Sequence, residues 1–210
     1  MKFGIAPDAH HWGKFKRHFW GDYIRRLQRY VTEEELKRLY EAVVASKNAM
    51  LRYVLPMLVV TGARLGEALN AKWADLDLDQ RLWRIPKAKS GQARHIPLGE
   101  NALKVLEAVQ GVSRSDYVFG NPATGKPYQH IYKAWDNARI KAGLPEVRMH
   151  DLRHSFASFL INSGRGIYEV QKLLGHTQIK TTQRYAHLTQ KTLLEAADVG
   201  TASLTAIFNP

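Results

Sequence analysis

The stretch RLWRI-PKAKSGQA-RHIPL, residues 81–98, constrains the fold of this chain more than any other. Its two ends alternate apolar and polar residues with the period of a half-buried strand, and Ser90-Gly91 supplies a bend between them. It is the only strong strand signal in 210 residues. Elsewhere apolar positions recur every three to four residues, the helical spacing. The expected architecture is therefore mainly α with a small antiparallel β-sheet, an α+β arrangement.

The helices have readable starts and stops. In TEEELKRLYEAVV, Thr32 and Glu35 form a capping box, and Leu36, Leu39, Tyr40 and Val43 make an apolar stripe. A second helix spans Ala49 to Val60, broken by Thr61-Gly62, and another begins near Arg64. After the hairpin a helix covers Glu100 to Val109, and DYVF reads as a short strand. Helices are expected at 129–142, 150–163, 167–174, 179–187 and 190–197, with breaks at Gly143, Gly164 and Gly175. Residues 1–30 are basic and aromatic with no clean period, and read as an arm or linker.

The net charge is +12 and the isoelectric point about 9.9. A polyanion is the natural partner of such a surface, because each Lys or Arg set on a phosphate releases a counterion. The other reading is a basic surface that serves solubility. No apolar run approaches the length of a membrane span. The absence of cysteine rules out disulfides, thiolate-ligated zinc and thiol catalysis, and fits a reducing compartment.

MHDLRHSFAS, residues 149–158, gathers His150, Arg153 and His154 at helical spacing on one face. A metal pair, an anion site and a plain polar face compete. The metal reading is weak: a zinc protease helix needs Glu directly after its first His, where Asp151 stands, and Arg153 would set a cation beside the metal. An anion fits better, since helix N-termini offer free N–H groups and a positive dipole end. Arg64 lies at a second helix start, so two planar forks of donors are available to one phosphate. Leu152, Phe156, Phe159 and Leu160 read as the core face, and His154 as structural. GNPATGKP nearly matches a nucleotide-binding loop, but Pro127 occupies the place of the magnesium-binding Ser or Thr.

In order along the chain, TGARLGEAL, KAKSGQARHIPL, HDLRHSFAS and LLGHTQIKTTQRYAH resemble the conserved boxes of the tyrosine recombinase, or phage integrase, family. The resemblance covers about Thr32 to Leu188 and implies that family's catalytic-domain fold over 31–188, with a C-terminal helix and tail over 189–210. It implies breakage and rejoining of double-stranded DNA through a 3′-phosphotyrosyl intermediate, with no cofactor, metal or ATP. It assigns Arg64, Lys89, His150, Arg153, His176 and the nucleophile Tyr185 to catalysis. Lys89 competes with Lys87 for the hairpin position and is preferred for its place before SGQARHIPL. Glu67 is expected as a buried partner that orients Arg64. Arg94 is expected as a DNA phosphate contact or, equally, a solvated strand residue.

Family members usually carry a preceding helical domain that closes around DNA, so tight site recognition and unaided recombination are left open by a 30-residue arm. The resemblance further implies a homo-tetramer on DNA, a tail docked on a neighbouring protomer, DNA-bending accessory proteins, and a cytoplasmic, nucleoid-associated setting of bacterial or phage type. Two other functions share these residues: relaxation of DNA as by a type IB topoisomerase, and non-catalytic DNA binding by a descendant of such an enzyme.

Overall fold

The computed structural model describes residues 30–86, 93–129, 131–176, 178, 181–183 and 185. Seven helices and three strands occur among them. Helix α1 is Glu33–Val44, α2 Leu51–Thr61, α3 Leu65–Leu69, α4 Glu100–Gln110, α5 Tyr132–Lys141, α6 Met149–Asn162 and α7 Ile167–Leu174. The strands are β1 Leu76–Asp77, β2 Leu82–Ile85 and β3 Arg94–Pro97, preceded by a 3-10 turn at Trp73–Asp75.

Helix α1 starts as its capping box dictates: Thr32 Oγ1 accepts from Glu35 N at 3.3 Å, and Glu35 Oε2 accepts from Thr32 N at 3.1 Å. Leu39 and Val43 of its stripe are buried, whereas Tyr40 is 44% exposed and lies outside the core. Helix α2 is apolar on most sides, as befits a central element. It packs against α1, α3, α4 and α6, and Leu51, Val54, Leu55, Met57 and Leu58 disappear from solvent.

The strands form one antiparallel sheet in the order β1-β2-β3. Trp83 pairs with Ile96, and both are about 1% exposed, so the alternation read in the sequence sends these two side chains to the core face. Strand β1 was not expected; its two residues pair with Trp83 and Leu82. The DYVF segment is not a strand: it makes a single bridge, Tyr117 to Lys72. Its apolar residues Val118 and Phe119 are fully buried, and burial accounts for the apolar pattern that suggested a strand.

Helix α6 departs most from its expected packing. Leu152 is buried, but Phe156, Phe159 and Leu160 are only half-buried, while Asp151, Arg153, His154, Ser155 and Ser158 are almost wholly enclosed. Ser155 Oγ donates to the Asp151 carbonyl and accepts from Val31 N at 2.7 Å, tying the entry to α1 onto this helix. A polar helix face is thus buried and satisfied, a pattern that marks a built site more than a core. Residues 181, 183 and 185 have 3-10 geometry in place of the α-helix expected at 179–187. The expected helix at 190–197 lies outside the described residues, as does the arm expected over 1–30 apart from Tyr30.

Candidate active site

The site begins where α2 stops. Gly62 takes the left-handed conformation, φ 62°, and a Cβ there would stand 2.3 Å from a ring carbon of Phe156. Only glycine fits both the backbone and the space. The turn delivers Arg64 to the first position before α3. Glu67 then accepts from Arg64 N at 2.8 Å and from Arg64 Nη1 at 2.9 Å.

Arg94, from β3, completes this corner. It donates through Nη2 to Glu67 Oε2 at 2.7 Å, through Nε to Oε1 at 3.3 Å, and through Nη1 to the Leu173 carbonyl at 3.2 Å. Its side chain is 11% exposed, so it is not a solvated strand residue. Its described contacts brace Glu67 and the end of α7. Burial pushes the Glu67 carboxyl up, but the Arg94 hydrogen bonds, the Arg64 amide and the Arg94 charge outweigh it and hold the group below its ordinary value. The Glu67 carboxylate is thus held between the Arg64 and Arg94 guanidinia. Gly175 follows from the same packing: a Cβ there would meet Arg94 Nη1 at 2.7 Å.

Arg153 enters from α6, 4% exposed. It donates to the Gly62 carbonyl and, at 2.5 Å, to the Leu174 carbonyl, bridging the end of α2 to the end of α7. Burial, then the charges of Arg64 and Arg94, push its pKa down to about 9, against the opposing pull of Glu67 and Tyr185. Those neighbours place Arg64, Arg94, Glu67, Tyr185 and Arg153 within one electrostatic cluster. Its described donors go to main-chain carbonyls, so the environment favours an incoming anion.

Arg64, His150 and Arg153 line one cleft of about 440 Å³, together with Arg148 and Arg139. The two arginines expected to converge therefore do so. His150 lies in the first turn of α6, at the positive end of the helix dipole. Arg148, which no sequence motif singles out, lines the same cleft. Asp151 accepts from Arg148 N at 2.8 Å and from its Nη2 at 2.8 Å, repeating at α6 the arrangement Glu67 makes at the start of α3. The shared signal, Arg followed three residues later by an acid at a helix start, was present in both RLGE and RMHD.

His176 and Tyr185 follow α7. His176 Nδ1 lies 2.8 Å from Thr182 Oγ1, and Thr182 is fully buried. Tyr185 is 4% exposed and packs with Ala157, Ile161, Val170 and Leu174. Its hydroxyl is 2.5 Å from His154 Nδ1, a contact the sequence reading did not anticipate. Lys89 and its rival Lys87 lie outside the described residues.

The family model for the phage integrase family matches residues 29–192. The chain belongs to that family. It is 33% identical over 180 residues to the tyrosine recombinase XerC of Staphylococcus carnosus, an alignment of 80% of this chain and 60% of that protein. The chain thus spans less than two thirds of the length of this relative. Among solved structures, XerH site-specific recombinase bound to its palindromic difH substrate aligns at 27% identity and TM-score 0.62, over 82% of this chain and 53% of that one. The catalytic domain of bacteriophage HP1 integrase shares the fold at 24% identity and TM-score 0.63, over 83% of this chain and 96% of that domain. The mainly α fold with its small antiparallel sheet is that of tyrosine recombinase catalytic domains. No described helix is long and apolar enough to cross a membrane.

Proposed function

We propose that this chain is the catalytic part of a site-specific DNA recombinase or integrase that cuts and rejoins strands through a covalent bond to Tyr185. The observation that carries the reading is the convergence of Arg64, His150 and Arg153 on one cleft, with Tyr185 in the same electrostatic cluster. Tyr185 Oη attacks the scissile phosphorus. The bond from phosphorus to the 5′-oxygen breaks, leaving a 3′-phosphotyrosine and a free 5′-hydroxyl. The phenolic proton passes to His150, and Lys89 delivers one to the departing 5′-oxygen. Attack by a 5′-hydroxyl on the phosphotyrosine reverses the step, so the bond energy is kept and no ATP is consumed.

The pentavalent transition state gathers negative charge on the non-bridging oxygens. Arg64, braced by Glu67, and Arg153, fixed on two carbonyls, supply preorganised positive charge there, in the place of a metal. His176 donates a hydrogen bond to the same phosphate. Double-stranded DNA is the partner the net charge of +12 suits, and the XerH complex with difH DNA supports it. A tetramer on paired sites, tail exchange between protomers, accessory DNA-bending proteins and a nucleoid-associated setting belong to the same reading.

The test is a nicked suicide duplex from which the 5′-hydroxyl fragment diffuses away. Incubated in EDTA, the wild-type chain is expected to yield a protein–DNA adduct on a denaturing gel. Binding without any adduct would favour the non-catalytic alternative. Unaided relaxation of supercoiled plasmid, with no strand exchange, would favour the topoisomerase one.

A further inference from the structure

Helix α6 carries two histidines one turn apart, the exposed His150 and the buried His154, and His154 contacts the hydroxyl of Tyr185. His150 lines the open cleft. His154, one turn on, puts Nδ1 2.5 Å from the Tyr185 hydroxyl. Its ring meets that of His150 edge-on at 4.7 Å and lies 5.9 Å from the tyrosine ring. His154 and Tyr185 are 5% and 4% exposed. The tyrosine ring is otherwise walled by the aliphatic side chains of α6 and α7. In surroundings of low dielectric a hydrogen bond of this length fixes where a hydroxyl points.

We propose that His154 is a positioning residue for strand cleavage: its Nδ1 holds the Tyr185 hydroxyl in the orientation from which it attacks the phosphate. This rests on the reading of Tyr185 as nucleophile. The ring of a tyrosine packed among aliphatic side chains is located by shape alone, but its hydroxyl is not. The hydroxyl carries the attacking oxygen, and an error of about 1 Å in the placement of a reacting group costs on the order of 100-fold in rate. Helix α6 also carries Arg153 and His150, so one rigid element registers the nucleophile against the groups that receive the phosphate. That is the physical use of a second histidine four residues after the first: the first receives the phenolic proton, and the second orients the hydroxyl that gives it up.

Four full-length variants test this on the nicked suicide duplex, as a pool of randomised crossover sequences. Single-turnover adduct formation, native-gel binding of intact duplex and melting temperature are measured together. His154→Leu is expected to slow adduct formation about 100-fold while binding stays within about twofold of wild type. His154→Asn puts an amide group, able to donate or accept, close to the place of Nδ1 and is expected to recover the rate to within about tenfold of wild type. His154→Gln, whose amide reaches past that place, is expected to stay slow, which keeps the comparison available where His154→Leu does not fold. A wild-type rate in His154→Leu, or equal rates in the Asn and Gln variants, would overturn the proposal. An adduct that persists in Tyr185→Phe would instead overturn the choice of nucleophile.

Discussion

Glu67 and Arg94, 27 residues apart in the chain, close a buried ion pair of 2.7 Å that fixes the start of α3 to the edge of the β-sheet. The same carboxylate holds Arg64 at 2.9 Å. One anion therefore sets the position of a guanidinium in the cleft and couples it to strand β3. The network has an asymmetry typical of buried charge: complete, it is worth little against an apolar replacement, but removing one partner strands the others.

Glu67→Gln should therefore be costly. Two guanidinia would lose their carboxylate, and the loss in stability is expected to be about 3 kcal/mol, which for a domain of this size lowers the melting temperature by on the order of 10 °C. The pH dependence has a definite sign. The folded-state pKa of Glu67 lies below its ordinary value, so its contribution is present above the unfolded pKa of about 4.3 and is lost as pH falls through the lower folded value. Denaturant melts of wild type and Glu67→Gln between neutral and acid pH should converge at the acid end.

Gly62→Ala tests the turn that presents Arg64 and receives Arg153. The left-handed backbone and the overlap with Phe156 together are expected to cost about 2–4 kcal/mol. Because the Gly62 carbonyl also holds Arg153, adduct formation should fall by more than the lost folded fraction explains. Thermal melts beside single-turnover cleavage separate the two effects.

Arg153 carries a different pH signature. Its pKa near 9 in the free protein means that the folded state releases this proton before the unfolded chain does. Charge on Arg153 thus opposes folding at neutral pH, and the contribution of this group to stability grows as pH rises above about 9. A bound phosphate stabilises the charge. Non-covalent affinity of Tyr185→Phe for duplex DNA is expected to fall as pH rises through about 9, more steeply than in an Arg153→Leu background. Fluorescence anisotropy at constant ionic strength measures it. Parallel curves in the two backgrounds would remove Arg153 from the phosphate site.

Much of this was legible in the chain, for reasons that differ by element. The hairpin was readable because Trp83 and Ile96 obey strict alternation, and α1 because Thr32 and Glu35 are a local signal. The helix 167–174 was found at its observed bounds, between two glycines. Strand β1 was not, since two residues carry no periodicity and their pairing is decided by Leu82 and Trp83 elsewhere. The tyrosine recombinase boxes located the chemistry, but a motif names residue types and says little of their partners. Arg94 looked like a strand cation because its carboxylate lies on another element. The contact between His154 and Tyr185 was not legible because it spans 31 residues. Arg148 was overlooked because a helix start is expected to bear Ser, Thr, Asp or Asn.

The attachment point of the DNA decides the central claim. The adduct formed on the suicide duplex in EDTA would be digested with nuclease and protease, and the nucleotide-bearing peptide sequenced by mass spectrometry. The modified residue is expected to be Tyr185, linked to a 3′-phosphate. Attachment to any other residue, or through a 5′-phosphate, would contradict the assignment of Tyr185 as the nucleophile and of this cleft as its target.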